Sequence, residues 1–558
     1  MSTKRTLLAA LAVVVIAGSV LWLATRTVRS IGGRWAVDAG LPPLEPWTPA
    51  LGLRRTFDTL PQPPPPPPRV RLLEGNEEAW IERWRILTVA RERVDAGSFI
   101  VRNDVYGLAF LGHLLHLRGR GVAVRLLIDA YGTSMARSVF AEDYLDELVA
   151  AGVEMRTYRP MLGRVVEAAL RLEPLAAVAS EHDKVLLVDG KHAVLGGRNV
   201  GGEYFASPER HPEAFLDVDV LVAGASACTA LERAFEAEWS SGVAPALGER
   251  IDVASRRAEL LGAHRAMDAW LRGAAGELDG DDAAAPHLRV LREEHPNLEG
   301  ALARRRSEAL VRHEVRILDS VPRLGHGQDD VTRGLARLLA SAEREVLIQS
   351  PYLVLAGGAV ERFVEAGRRG VAITVVTNGP TSSDNALSQA LFLEQWPELL
   401  ARVPGMRLFV RGDRHNVHGK TAVFDGQVAV VGTYNLDPIS MAVNGEVVLV
   451  VWSKEFAARV AAPLHAAIDE GSPTTFEYRI VRDAAGVPVR GDDGRPQVAF
   501  GPGQHVEPSR WSAVHTWSTV VRIVRLLAPS QPLFWASRPP PTERAVARSA
   551  VDADEAAH

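Results

Sequence analysis

The sequence predicts an α/β protein of two similar lobes, each a mostly parallel mixed sheet flanked by helices, forming one pseudo-twofold active site behind an N-terminal transmembrane helix. Three observations carry this expectation. A short motif occurs twice, strand-like and helix-like runs alternate in the same order around each copy, and residues 6–25 carry no charge.

The N-terminal run TLLAALAVVVIAGSVLWLAT follows Lys4 and Arg5 and is long enough to cross the hydrocarbon core of a bilayer. Arg26, Arg29 and Arg34 follow it where a cleaved signal peptide would have a small-x-small site, so residues 1–30 read as a retained single-pass anchor in the cell membrane. Residues 31–70 form a Pro-rich linker. Its run PQPPPPPP, residues 61–68, favours an extended rod that spaces the body from the anchor.

Two lobes then share one layout, at 71–245 and 326–470. In the first, WIERWRILTVARER reads as a helix, SFIVRND as a strand, LAFLGHLLHLRGR as a helix and GVAVRLLIDA as a strand. In the second, VTRGLARLLASAER, EVLIQSPYLV, AVERFVEAGRRG and VAITVVTNG repeat that order. Strands alternating with helices of this length argue for βαβ units. Residues 246–325, Arg-rich and helical in pattern, form a connector, and 471–558 hold an amphipathic segment, WSAVHTWSTVVRIVRLL at 511–527, and a disordered tail.

Composition narrows the function. With 47% hydrophobic and 23% charged residues the chain can bury cores, while a formal charge of −5 argues against general nucleic-acid binding. The single cysteine, Cys228, excludes an intramolecular disulfide and a cysteine-based zinc site. HGKT lacks the glycine a phosphate-binding loop needs, having Arg414 there. His113 and His116, three apart on a helix, read as a packed face, and no cofactor or metal is expected.

The repeated motif is EHDKVLLVDG at 181–190 and VHGKTAVFDG at 417–426. It aligns His182 with His418, Lys184 with Lys420, Asp189 with Asp425 and, without a gap, Asn199 with Asn435. On a strand, residues two apart share a face, so each copy presents one His and one Lys together. Asp189 and Asp425 each precede a glycine between apolar strand-like runs, a hairpin signal that gives them a structural role. Two imidazoles, two ammonium groups and two amides suit displacement at a phosphodiester without a metal: one neutral histidine attacks phosphorus, and a protonated one serves the leaving alcohol. A histidine nucleophile needs a carboxylate partner. Glu446 in VNGEVVLVV and Asp217 in FLDVDVLVAG are the candidates, with Asp219 on the same strand face as Asp217.

These residues resemble the phospholipase D superfamily, whose signature is a duplicated His-x-Lys-x4-Asp, and HDKVLLVDGKHAVLGGRNVGGEYF with DVDVLVAG, and HGKTAVFDGQVAVVGTYNLDPIS with NGEV, resemble its bacterial cardiolipin synthase branch. The resemblance implies a metal-independent reaction through a phosphohistidine, with His182 as nucleophile and His418 as general acid and base. It further implies transfer of a phosphatidyl group to phosphatidylglycerol, with phosphatidylglycerol and phosphatidylethanolamine as phospholipid substrates, at a membrane and without nucleic acid. Alternatives are a hydrolase releasing phosphatidic acid, a nuclease, and a non-catalytic membrane scaffold. The branch tends to have an arginine where this chain has Ile439, and an aromatic-rich strand where it has FIVRND, which bears on acceptor and head-group preference.

Overall fold

The computed structural model describes residues 52–134, 144–164, 179–248, 256–321, 330–355, 358–469 and 471–507. The expected anchor, residues 1–30, and the amphipathic run 511–527 with the tail after it lie outside the described residues. Among the described residues no helix is long and apolar enough to cross a membrane.

Two mixed sheets form the body. The first contains β1 (Arg69–Leu73), β2 (Arg93–Ser98), β3 (Ala123–Asp129), β4 (Glu154–Tyr158), β5 (Val185–Val188), β6 (His192–Gly196), β7 (Asp219–Ala223) and β8 (Val311–Arg312), in the order β4-β3-β2-β5-β6-β7-β1-β8. The second contains β9 (Glu314–Ser320), β10 (Glu345–Gln349), β11 (Ala372–Asn378), β12 (Arg407–Arg411), β13 (Lys420–Phe424), β14 (Val428–Gly432), β15 (Glu446–Trp452), β16 (Thr475–Ile480) and β17 (Val498–Phe500). Its order is β17-β16-β12-β11-β10-β13-β14-β15-β9.

The expectation of mostly parallel sheets is corrected. Only β2–β3 and β3–β4 in the first sheet, and β10–β11 and β11–β12 in the second, pair in parallel; the other pairings are antiparallel. Parallel pairs need long crossovers, such as the helix Val105–Gly119 between β2 and β3, whereas tight turns fold β5 onto β6 and β13 onto β14. Asp189 and Asp425 sit in those turns at φ 51° and 52°, left-handed values that Asp tolerates better than most residues. Each carboxylate caps the start of a neighbouring strand: Asp189 accepts from the N–H groups of Arg91, Glu92 and Arg93, and Asp425 from those of Glu343, Arg344 and Glu345.

The sheets are stacked around a shared apolar layer. Val185, Leu187, Val220 and Val222 of the first sheet, and Val423, Val431, Val447 and Leu449 of the second, enclose the helices Ala225–Trp239 and Lys454–Ile468. Each buried side chain of this size contributes about 1.5–3 kcal/mol by leaving water, so this layer joins the two halves into one body.

Three segments differ from the expected division. Residues 52–68 lie against the body rather than spacing it: Phe57 is fully buried in the second lobe's core, and the carbonyls of Pro61 and Pro68 accept from Ile317 and His313. The connector's helix Arg257–Arg272 packs on Val105–Gly119 in the first lobe's core, and its last part is β9, an edge of the second sheet. There His264 stacks on His116 and packs at a tilt against His113, a packed face as the spacing predicts. Finally, β16 and β17 extend the second sheet past residue 470.

Candidate active site

The strand leading into each His-x-Lys motif crosses to the opposite lobe. The N–H of His182 donates to the carbonyl of Gly445 at 3.1 Å, and that of His418 to the carbonyl of Leu216 at 2.8 Å. Gly445 and Leu216 immediately precede Glu446 and Asp217, so the two contacts are twofold equivalents. Parallel bridges Glu181–Gly445 and Leu216–Val417 complete the exchange.

This crossing pairs each histidine with a carboxylate of the other lobe. His182 Nδ1 lies 3.1 Å from Glu446 Oε2 and 3.0 Å from Oε1; His418 Nδ1 lies 2.5 Å from Asp217 Oδ2. With both Nδ1 atoms engaged by carboxylates, Nε2 is the nitrogen each ring can offer a substrate. Glu446 is further held by the hydroxyls of Thr433 (2.5 Å) and Ser440 (2.6 Å). Aromatic rings close around the imidazoles: Phe99 stands 5.0 Å from His182, and Tyr204 and Phe215 stand 5.4 and 5.1 Å from His418, centroid to centroid.

The lysines are buried beside the rings. Lys184 donates to the His182 carbonyl at 2.6 Å and lies over the Phe99 ring. Lys420 donates to the His418 carbonyl at 2.5 Å, its ammonium 2.9 and 3.1 Å from the two ring nitrogens. Asn199 and Asn435 are not equivalent. Asn199 accepts from the Ile100 N–H and donates to the Tyr204 hydroxyl, whereas Asn435 Oδ1 is buried with no hydrogen-bond partner. Asp219 is bound by Arg83 and Arg198, which removes it from the site.

Electrostatics separate the two pairs. Burial pushes the Glu446 carboxyl up to about 7, against the pull of Lys184 and of its hydrogen-bond donors. Burial works on Asp217 in the same direction, but His418, Lys420 and Arg198 outweigh it and hold that carboxyl well below the usual range. Both imidazoles are lowered by burial first and by the lysines next, His182 strongly; His418 is lowered less far because Asp217 pulls it back up. Burial also brings Lys420 down to about 8 and lowers Lys184.

Sequence reading named both carboxylates but not which histidine each serves. It missed Thr433, Ser440, Tyr204 and Phe99. Ser440 closes the NLDPIS stretch and Thr433 follows Gly432, so their places beside the motif were the available signal.

A two-lobed body with exchanged His–carboxylate pairs defines a class of protein whose site is built from both lobes, each supplying a histidine to the other's carboxylate. A family model described as cardiolipin synthase, phospholipase D-like domain, matches residues 85–239 and 335–467, and the chain belongs to that family: it is a phospholipase D-type phosphatidyltransferase. Cardiolipin synthase B of Shigella flexneri and that of Escherichia coli K12 are each 26% identical over 393 residues, 70% of this chain and 77% of theirs. An uncharacterized protein of Helicobacter pylori 26695 is 23% identical over 414 residues, 70% of this chain and 78% of its own. The crystal structure of phosphatidylserine synthase from Haemophilus influenzae shares the fold at a TM-score of 0.57 and 12% identity, covering 86% of this chain and 99% of that one.

Proposed function

We propose that this chain transfers a phosphatidyl group from one phosphatidylglycerol to the free glycerol hydroxyl of another, making cardiolipin and releasing glycerol, at the membrane that residues 1–30 anchor it to. His182 Nε2 attacks phosphorus while His418, protonated, gives its Nε2 proton to the departing glycerol oxygen. In the second half His418 takes the proton of the incoming hydroxyl, which attacks phosphorus and breaks the P–N bond. Asp217, charged and 2.5 Å from His418 Nδ1, favours the imidazolium that this histidine must carry at the start. Lys184, Lys420 and Asn435 stabilise charge on the phosphoryl oxygens.

The observation that carries a lipid substrate is a cavity in the second lobe. Of about 100 Å³, it is walled by Leu335, Leu339, Phe363, Phe424 and Val448 and reaches Lys420 and Asp437. Protein cores pack without such voids. Apolar walls beside Lys420 suit the part of an acyl chain next to its phosphate better than they suit a nucleic acid.

The test is incubation of the detergent-solubilised protein with phosphatidylglycerol micelles, with products read by mass spectrometry and His182→Ala as control. Cardiolipin plus glycerol, absent in the control, supports the transferase. Phosphatidic acid as the sole product would replace it with a hydrolase.

A further inference from the structure

The residues flanking His182 differ in kind from those flanking His418. Glu181 and Asp183 occupy the positions that Val417 and Gly419 occupy in the second copy, so the catalytic signature does not require acids there. Alternation along the strand turns them away from the face of His182 and Lys184, toward the layer between the sheets, the same side as Val185 and Leu187. There they meet Glu238, one residue from the C-terminal end of the helix Ala225–Trp239, where the helix dipole further disfavours negative charge.

One oxygen from each of Glu181, Asp183 and Glu238 lies within 4.8 Å of the other two. The three residues are 0, 2 and 1% exposed, and no group with a proton of its own donates to their six oxygens, so that Glu181 and Glu238 can bond only to each other through a shared proton. A fourth carboxylate, Asp319 of β9 in the second lobe, interacts electrostatically with Asp183 and Glu238, and its own buried Oδ1 is also without a partner. Other buried carboxylates are satisfied: Asp95 by Arg125, Asp129 by Arg164, Asp219 by Arg83 and Arg198, Asp217 by His418 and Glu446 by His182. Lys184 is the nearest opposing charge, but its ammonium donates to the His182 carbonyl on the other face of the strand.

An unpaired buried carboxylate is unfavourable, and like charges grouped together make it more so. Three hard oxygens, one from each carboxylate, brought together without an outside donor match part of the ligand set of a hard divalent cation. We propose that Glu181, Asp183 and Glu238 bind a divalent cation of the Ca²⁺ or Mg²⁺ class, behind the strand that presents His182 and Lys184. The ion touches no reacting atom. It ties the His182 strand to the helix Ala225–Trp239 in the layer the two lobes share, and so acts as a positioning element for the first half of the site.

The test uses the full chain in detergent. Protein stripped with EDTA and desalted is titrated with Ca²⁺, Mg²⁺ and Mn²⁺ separately by calorimetry, and its melting temperature is measured with and without each ion. The expected result is about one site per chain and a higher melting temperature with at least one ion, with affinity falling at least about tenfold in Asp183→Asn and in Glu238→Gln. No binding and no thermal shift with any of the three would overturn the proposal and leave the cluster holding protons. Binding of undiminished affinity in both variants would also overturn it, by locating the ion elsewhere. Should one variant fail to fold, the other still locates the ion, and the wild-type titration can still overturn the proposal. None of these readouts depends on turnover, so they stand apart from the transferase assay.

Discussion

His418 Nδ1 stands 2.5 Å from Asp217 Oδ2 although the two residues are 201 positions apart and belong to different lobes. With Glu446 and His182, 264 positions apart, the exchange is reciprocal, so neither lobe holds a complete histidine–carboxylate pair alone. Replacing Asp217 by Asn keeps the shape but removes the charge and presents the wrong donor, which costs roughly 10³–10⁴ in kcat by analogy with other His–Asp pairs. Glu446→Gln is expected to cost less, roughly 10–10²-fold, because Glu446 near neutrality is already partly protonated at about 7. Steady-state kinetics of the two variants check this; equal losses would refute the electrostatic difference between the pairs.

The two histidines separate by leaving group. His418→Ala removes the proton donor, so a phosphodiester with a nitrophenolate leaving group, which departs without a proton, should recover a large part of the lost first step. His182→Ala removes the atom that forms the P–N bond and recovers nothing. Burst kinetics with both substrates, and trapping of phosphoenzyme in His418→Ala, read the distinction.

How much of this was legible beforehand follows from range. The motifs and the Asp-Gly hairpins are local, and alternation along one strand was enough to put His182 beside Lys184. Which carboxylate serves which histidine is decided by Gly445 pairing with His182 across the lobe boundary, a contact no local pattern encodes. The parallel sheets were overestimated for a similar reason: β5 and β6 carry apolar runs like that of β3, and only the short turn between them marks the pair as antiparallel. Asn199 and Asn435 align perfectly in sequence, yet a neighbouring hydroxyl, Tyr204, draws one into a structural bond.

That difference is measurable. Asn199→Ala leaves the buried Ile100 N–H unpaired and is expected to lower stability by about 1–3 kcal/mol, visible in urea unfolding. Asn435→Ala loses no side-chain oxygen contact and should leave the midpoint nearly unchanged while reducing kcat. A stability loss of the same size in both would show that the two amides play one role.

The pH profile should be narrow. Turnover rises with pH through about 7 as Glu446 ionises and can support the His182 imidazolium. It falls as His418, its pKa lowered by burial, loses the proton it must donate, and falls further through about 8 as Lys420, also brought down by burial, loses the charge that steadies the phosphoryl oxygens. Lys420→Arg, whose guanidinium stays charged, should move the alkaline limb upward while lowering the maximum, since an arginine cannot reproduce the ammonium's packing against His418. An alkaline limb that stays put in that variant would assign it to another group.

Ala422 lies on β13 two residues beyond Lys420, half-buried, with its side chain lining the apolar cavity. If that cavity receives an acyl chain, filling it from Ala422 should discriminate by chain length while leaving the phosphoryl chemistry alone. Ala422→Phe adds a ring of bulk at the cavity floor near the phosphate end. The expected outcome is a KM raised about tenfold or more for long-chain phosphatidylglycerol, corresponding to about 1.4 kcal/mol of lost binding, with KM for a short-chain or water-soluble phosphodiester unchanged. Because the phenyl ring enters existing space, overpacking is limited and the melting temperature should hold or rise. Equal loss on both substrates would mean the substitution disturbed Lys420 through the strand, and no loss on either would mean the chain of the donor lies elsewhere.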